Sequence, residues 1–259
     1  MPYRVFLVGA GPGDPELLTM KAHRLLTTAG AVVFDRLVAP EILALIPRGA
    51  MQINVGKLPG NHPVPQEEIN RLLVRLAQSG RTVVRLKGGD PYVFGRGSEE
   101  AIYLAQNGIP FEVVPAVTSA SGCAAAAGVP LTHRGLASGV RFVTGHCRAD
   151  AELDLNWDSL ADPQTTLVIY MGLAQIAVIA AELIAHGLPA ATPAIAISNG
   201  TLPRQRRVIA TLGTIAERAQ ALAGDGPVLF VLGQVVALAT LLAPDAVEDG
   251  ERPREASHA

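Results

Sequence analysis

Short β-branched or apolar runs, each cut off by glycine or proline and followed by a segment with helical spacing, recur along this chain and restrict what it can fold into. Residues 3–8, 31–34, 51–55 and 111–114, together with Val83, Val84 and Leu86, have the length and composition of buried strands. Between them apolar residues return every three or four positions. Leu17, Leu18, Ala22, Leu25, Leu26 and Ala29 form one such stripe, and Ile69, Leu72, Leu73 and Leu76 form another. This alternation predicts a wound, parallel α/β domain that closes near Pro115. Asp14 and Pro15 are expected to open the first helix and Gly30 to end it. Ser98 is the expected N-cap of a later helix that carries Glu99 and Glu100 in its first turn and stops at Gly108.

A small-residue helix is expected over 118–128, and a second βα series follows it. Its strands are expected at 141–144, 166–171, 194–198, 207–210 and 228–233, with helices at 173–186 and 214–222. The junction is placed at Val117. The reading is therefore an N-terminal α/β domain over 1–117, a C-terminal α/β domain over 118–243 and a polar tail, 244–259, expected to be disordered.

The turns at the carboxyl ends of these strands are where open α/β sheets place ligands. Gly88-Gly89-Asp90-Pro91 ends one strand, Met171-Gly172 and Asn199-Gly200-Thr201 end two more, and the first strand runs into Gly9-Ala10-Gly11-Pro12-Gly13-Asp14. That last turn is not a dinucleotide fingerprint. The third glycine would have to stand where Asp14 puts a carboxylate against a pyrophosphate. Asp35 follows the second strand directly and reads as a ribose-holding acid, a proton-transferring group or a helix cap. Lys57 follows the third strand, where the neighbouring loops converge if the sheet is parallel.

Composition narrows the partners. With 21 basic and 23 acidic residues and a net charge of −2, bulk charge gives no support for a nucleic-acid binder. Although 49% of residues are hydrophobic, no run is long enough to span a bilayer, so a soluble protein with no membrane partner is expected. The opening MPYRVFLVG reads as a first strand and not as a secretion signal. Two cysteines, Cys123 and Cys147, fit a reducing, cytoplasmic setting, and His146 beside Cys147 is too little for a metal site, so no metal is expected. Only Lys21, Lys57 and Lys87 are lysines. Arginine therefore supplies most of the positive charge, and its planar fork suits a ligand bearing several carboxylates.

Taken together, VGAGPGDPELLT, DRLV, GK, LKGGDPYVFGRGSEE, PLTHR, TGH, YMG, NGT and VLG, in this order from Tyr3 to Leu242, resemble the S-adenosylmethionine-dependent tetrapyrrole methylases. The resemblance implies two unlike α/β domains with the active site in the cleft between them, paired as a homodimer. It also implies S-adenosyl-L-methionine as methyl donor, with S-adenosyl-L-homocysteine as product. The members it resembles most methylate uroporphyrinogen III at C-2 and C-7, giving precorrin-2 by way of precorrin-1. By the same resemblance the donor is held by Pro12, Gly88, Gly89, Asp90, Val93, Thr118, Ser119, Met171 and Gly200. Asp35 is the implied proton acceptor and Lys57 the proton donor. Arg96 and Arg134 are the implied partners of substrate carboxylates, with Glu99 a further candidate that helix capping also explains.

Two positions depart from the family pattern. Ala116 stands where glycine is usual, which would be unfavourable if that position needs a left-handed backbone, and Leu58 stands where arginine commonly follows the lysine. Other readings on the same fold are a later precorrin methyltransferase, or a relative that methylates diphthamide precursors or ribosomal RNA. A donor-binding sensor without turnover is the non-enzymatic one. No linked dehydrogenase or chelatase-like segment is read in the chain, so downstream steps are expected on other chains.

Overall fold

The computed structural model describes residues 4–56, 64–146, 153–224 and 226–243. Lys57, Leu58, Cys147 and the expected tail 244–259 lie outside them. The chain divides into two compact units, 1–119 and 120–259.

The first unit runs β1 (Val5–Gly9), α1 (Met20–Thr27), β2 (Ala31–Phe34), α2 (Pro40–Leu43), β3 (Met51–Asn54), α3 (Gln66–Gln78), β4 (Val83–Lys87), α4 (Gly97–Gln106) and β5 (Phe111–Val114). Its five strands lie in the order β3-β2-β4-β1-β5 and every pairing is parallel. All five carboxyl ends therefore lie along one edge of the sheet. Valines and leucines such as Val5, Leu7, Val33 and Val83 are fully buried because helices cover them. α3 lays Ile69, Leu73, Leu76 and Ala77 into a core shared with those strands and with Leu104 of α4. Each fully buried valine, leucine or isoleucine among them contributes about 1.5–3 kcal/mol.

Two helix starts differ from expectation, each for a local hydrogen-bonding reason. Asp14 does accept the Glu16 N–H, but it caps only a short 3₁₀ turn, Pro15–Leu17. Leu18 is then extended, and Thr19 takes the Ala22 N–H and starts α1. The expected N-cap Ser98 lies inside α4. Arg96, in the left-handed region at φ 58°, occupies the cap position, because the Gly97 N–H is held by the Pro91 carbonyl. Gly108, at φ 66°, ends that helix as read.

α5 (Ser119–Ala126) carries the chain into the second unit, which continues β6 (Gly139–Thr144), α6 (Trp157–Leu160), β7 (Thr165–Tyr170), α7 (Ile176–Ala185), β8 (Pro193–Ser198), β9 (Arg206–Thr211), α8 (Ile215–Arg218), β10 (Val228–Leu232) and α9 (Ala239–Leu242). The strand order is β6-β7-β10-β8-β9. β6 and β7 are parallel, β10 runs antiparallel to β7 and β8, and β8 and β9 form an antiparallel pair. Alternate residues of β7 enter opposite cores. Leu167 and Ile169 join Ile179, Leu183 and Phe230, whereas Val168 joins Ala120, Cys123, Ile195 and Val231.

Candidate active site

Two glycine turns at the carboxyl edge of the first sheet are sewn together through their backbones. The Gly89 N–H donates to the Gly11 carbonyl at 2.7 Å and the Gly11 N–H returns to the Gly89 carbonyl at 3.2 Å. The Ala10 N–H donates to the Lys87 carbonyl at 2.8 Å. Both glycines are left-handed, Gly11 at φ 73° and Gly89 at φ 69°, which side chains adopt only under strain. Pro12 is thereby held next to the Gly88-Gly89-Asp90 turn. Asp90 is committed to the scaffold: one carboxylate oxygen accepts the Tyr92 N–H at 2.8 Å and the other the Ala116 N–H at 2.9 Å. Val93 is half-buried in the same loop.

Further segments crowd onto this edge. A Cβ on Gly88 would stand 2.7 Å from the Leu37 Cβ, so the loop after Asp35 packs directly on the turn. A Cβ on Gly89 would come within 3.3 Å of the Ser119 Oγ, which places Ser119 and its neighbour Thr118 beside it. Ala116 is not left-handed, so its methyl group carries no backbone strain. The methyl group lies against Gly9 instead, where any Cβ would meet it at 2.5 Å.

Asp35 directly follows β2, with its side chain 25% exposed. Its Oδ1 accepts the Leu37 N–H at 3.0 Å, and its Oδ2 faces the Arg85 Nη2 at 3.7 Å. Arg96 and Glu99 are held to each other by a two-pronged pair, Nε to Oε1 at 2.8 Å and Nη2 to Oε2 at 2.7 Å. That hydrogen-bonded pairing raises the Arg96 pKa above the ordinary arginine value. Glu99 thus grips an arginine from its helix position.

In the second unit, Met171 is left-handed at φ 54° and 51% exposed. Asn199 and Thr201, at φ 50° and 70°, flank Gly200. A side chain on Gly200 would collide with Cys123. The Tyr170 hydroxyl accepts the Ala120 N–H at 2.9 Å, tying the YMG turn to α5. Arg134 is exposed, in a turn closed by the His133–Ala137 bridge. Burial pushes the Cys123 thiol up to about 12.

One group went unread in the sequence. Arg85 and Lys87 of β4 and Glu100 of α4 are buried and bound together, with both cations 3.0 Å from Glu100 Oε1. The available signal was two cations two residues apart on a strand whose intervening side chains are apolar. Such a strand needs an anion from the helix that follows it.

A glycine-rich carboxyl edge on a parallel sheet, with a half-buried carboxylate beside it, is where a small-molecule transferase on an α/β scaffold holds its ligands. The tetrapyrrole (corrin/porphyrin) methylases match residues 4–216, and the chain belongs to that family. It is 57% identical over 236 residues to the uroporphyrinogen-III C-methyltransferase of Paracoccus denitrificans, covering 91% of this chain and 82% of that one. It is 53% identical over 234 residues to the siroheme synthase of Hahella chejuensis, covering 90% of this chain and only 50% of that one. The chain thus spans about half the length of that synthase. Among solved structures, the uroporphyrin-III C-methyl transferase of Thermus thermophilus complexed with S-adenosyl homocysteine superposes with a TM-score of 0.77 at 45% identity, covering 90% of this chain and 93% of that one.

Proposed function

We propose that this chain methylates uroporphyrinogen III at C-2 and C-7, passing through precorrin-1 to precorrin-2, with S-adenosyl-L-methionine as donor. The observation that carries the reading is the doubly hydrogen-bonded Gly11–Gly89 junction, found in a chain 57% identical to a uroporphyrinogen-III C-methyltransferase. The residues fit such a donor. Beside Gly89 only the Ser119 hydroxyl lies within 4 Å of where a Cβ would stand, Gly88 and Pro12 adjoin it in the two turns, and Thr118 and Ser119 are small. Asp90 keeps that shape by spending its carboxylate on two N–H groups. Met171 and Gly200 of the second unit keep the donor-contacting role that the resemblance gives them. Bound there, the donor supplies an electrophilic methyl group on a sulfonium.

The chain's part in the chemistry is orientation and proton transfer. An electron-rich pyrrole carbon forms a bond to the methyl carbon while the carbon–sulfur bond breaks. Aligning those atoms is worth about 7–11 kcal/mol. The methylated ring is then cationic, and Asp35 accepts the proton whose loss restores neutrality. A positioned base adds about 10² to 10⁴ in rate. Lys57 is assigned the donor role by resemblance. Arg96, already oriented by Glu99, and Arg134 are assigned to the substrate's carboxylates. We also assign the chain to a homodimer, in the cytoplasm, with no nucleic-acid or membrane partner. Among the described residues, no helix is long and apolar enough to cross a membrane.

The test is anaerobic incubation of the purified protein with uroporphyrinogen III and the donor, followed by mass spectrometry. The tetrapyrrole is expected to gain one and then two methyl groups. An unchanged mass, with a precorrin methylated in its place, would move the assignment to a later methyltransferase.

A further inference from the structure

Behind Asp35 lies a set of buried charges to which the chemistry above assigns no task. Glu100 is fully buried, and its Oε1 accepts from Arg85 Nε at 3.0 Å, Lys87 Nζ at 3.0 Å and Gln66 Nε2 at 3.2 Å. Its Oε2 has no partner among the described residues. Arg85 is 3% exposed, and its Nη1 donates to the carbonyls of Val33 and Leu86 at 3.4 and 3.1 Å. Two edges of the guanidinium are therefore fixed, one by a carboxylate and one by main chain. The nitrogen that remains, Nη2, faces Asp35 Oδ2 at 3.7 Å.

Charge counting gives this arrangement a purpose. Arg85 and Lys87 bring two positive charges and Glu100 one negative, so the cluster alone holds an excess cation away from water. Such an excess is costly unless an anion answers it. Asp35 is the carboxylate that answers it, and its field acts on Lys87 in the charge-favouring direction. The cluster is poor material for stability alone, since buried ion pairs are often replaceable by apolar packing at no loss. It is well suited to orientation. Asp35 is gripped on Oδ1 by the Leu37 N–H and opposed on Oδ2 by a guanidinium that cannot turn.

We propose that Arg85 is a positioning residue for Asp35, locked by Glu100 so that the carboxylate meets the substrate in one orientation. The proposal rests on Asp35 being the proton acceptor. Arg85 is held below the surface and acts through Asp35, not on the substrate.

A double-mutant cycle tests it. Asp35→Asn, Arg85→Lys and the combined variant are compared for kcat and KM with uroporphyrinogen III, and for adenosylhomocysteine affinity by calorimetry. Arg85→Lys keeps the buried cation but loses the fork that reaches Glu100 and Asp35 together. Asp35→Asn should lower kcat about 10² to 10⁴-fold. Arg85→Lys should lower it about 10- to 100-fold through misplacement of the acceptor, with KM and adenosylhomocysteine affinity unmoved. On the Asp35→Asn background Arg85→Lys should cost nothing further. If the two losses multiply, or if Arg85→Lys keeps full kcat while Asp35→Asn is crippled, the positioning role is wrong and the acceptor stands. If Asp35→Asn alone is fully active, the acceptor assignment is what has failed, and the role of Arg85 falls with it. Should Arg85→Lys not fold, Glu100→Gln releases the same guanidinium with near-identical volume and is read on the same cycle.

Discussion

Lys87 shows how burial turns one residue into a pH probe. Desolvation, with Arg85 beside it, lowers its pKa from the ordinary 10.5, although Glu100 and Asp35 pull the other way. The unfolded chain then binds this proton more tightly than the folded one. Stability should rise with pH between the lowered value and 10.5, and the penalty should be constant below that window, where both states are protonated. Urea unfolding of the native chain and of Lys87→Met from neutral pH to about 10.5 should show the native chain gaining on the variant as pH rises. A difference flat with pH would remove this account. Asp35 was legible because a lone acid directly after a strand, in DRLV, stands out. Arg85, Lys87 and Glu100 were not, because Glu100 beside Glu99 satisfies the simpler rule of acids at a helix start, and nothing local says which of the two turns inward.

Turns carry the strain in this molecule, and the sequence conceals it. Phe94, Arg96, Met171, Asn199 and Thr201 are non-glycine residues in the left-handed region, and all five belong to the loops that carried the family resemblance. Each such residue costs about 1–3 kcal/mol and is held by its surroundings. The asparagine–glycine–threonine turn gives opposite predictions at adjacent positions. Thr201 is β-branched at φ 70°, a backbone that glycine adopts without strain, and its N–H bond to Gln205 Oε1 at 2.7 Å survives the change to glycine. Thr201→Gly should therefore raise the unfolding free energy by about 1 kcal/mol. Gly200→Ala pushes a methyl group into Cys123 and should lower it by about 1–3 kcal/mol. Urea midpoints for both variants check the signs, and equal shifts in one direction would contradict the geometry. Strands were the elements read most reliably, because period and length identify them. The start of α4 was misread because the capping rule favours Ser98, whereas a bond within the preceding loop, from the Gly97 N–H to the Pro91 carbonyl, fixes the true start.

At the scale of the whole chain, the second sheet shows what local pattern cannot supply. α7 links β7 to β8 and α8 links β9 to β10, and both pairs run in the same direction, as crossovers require. Among the described residues, only the connection over 199–205 lacks a helix, and that single hairpin makes the sheet mixed. Read for its ligand-type turn, the stretch hid its role in topology. The assembly assignment is tested by sedimentation: about twice the chain mass of 27.0 kDa is expected, and a single-chain mass at micromolar concentration would refute it. The junction of Gly11 with Gly89 has a consequence for how such a protein can change over time. Because peptide groups alone make that seam, it is indifferent to the residues displayed around it. An exposed neighbour such as Tyr92 can be exchanged while the platform beneath it keeps its form. On the proposed function, a lineage can retarget the molecule it modifies without having to reinvent the source of the group it transfers.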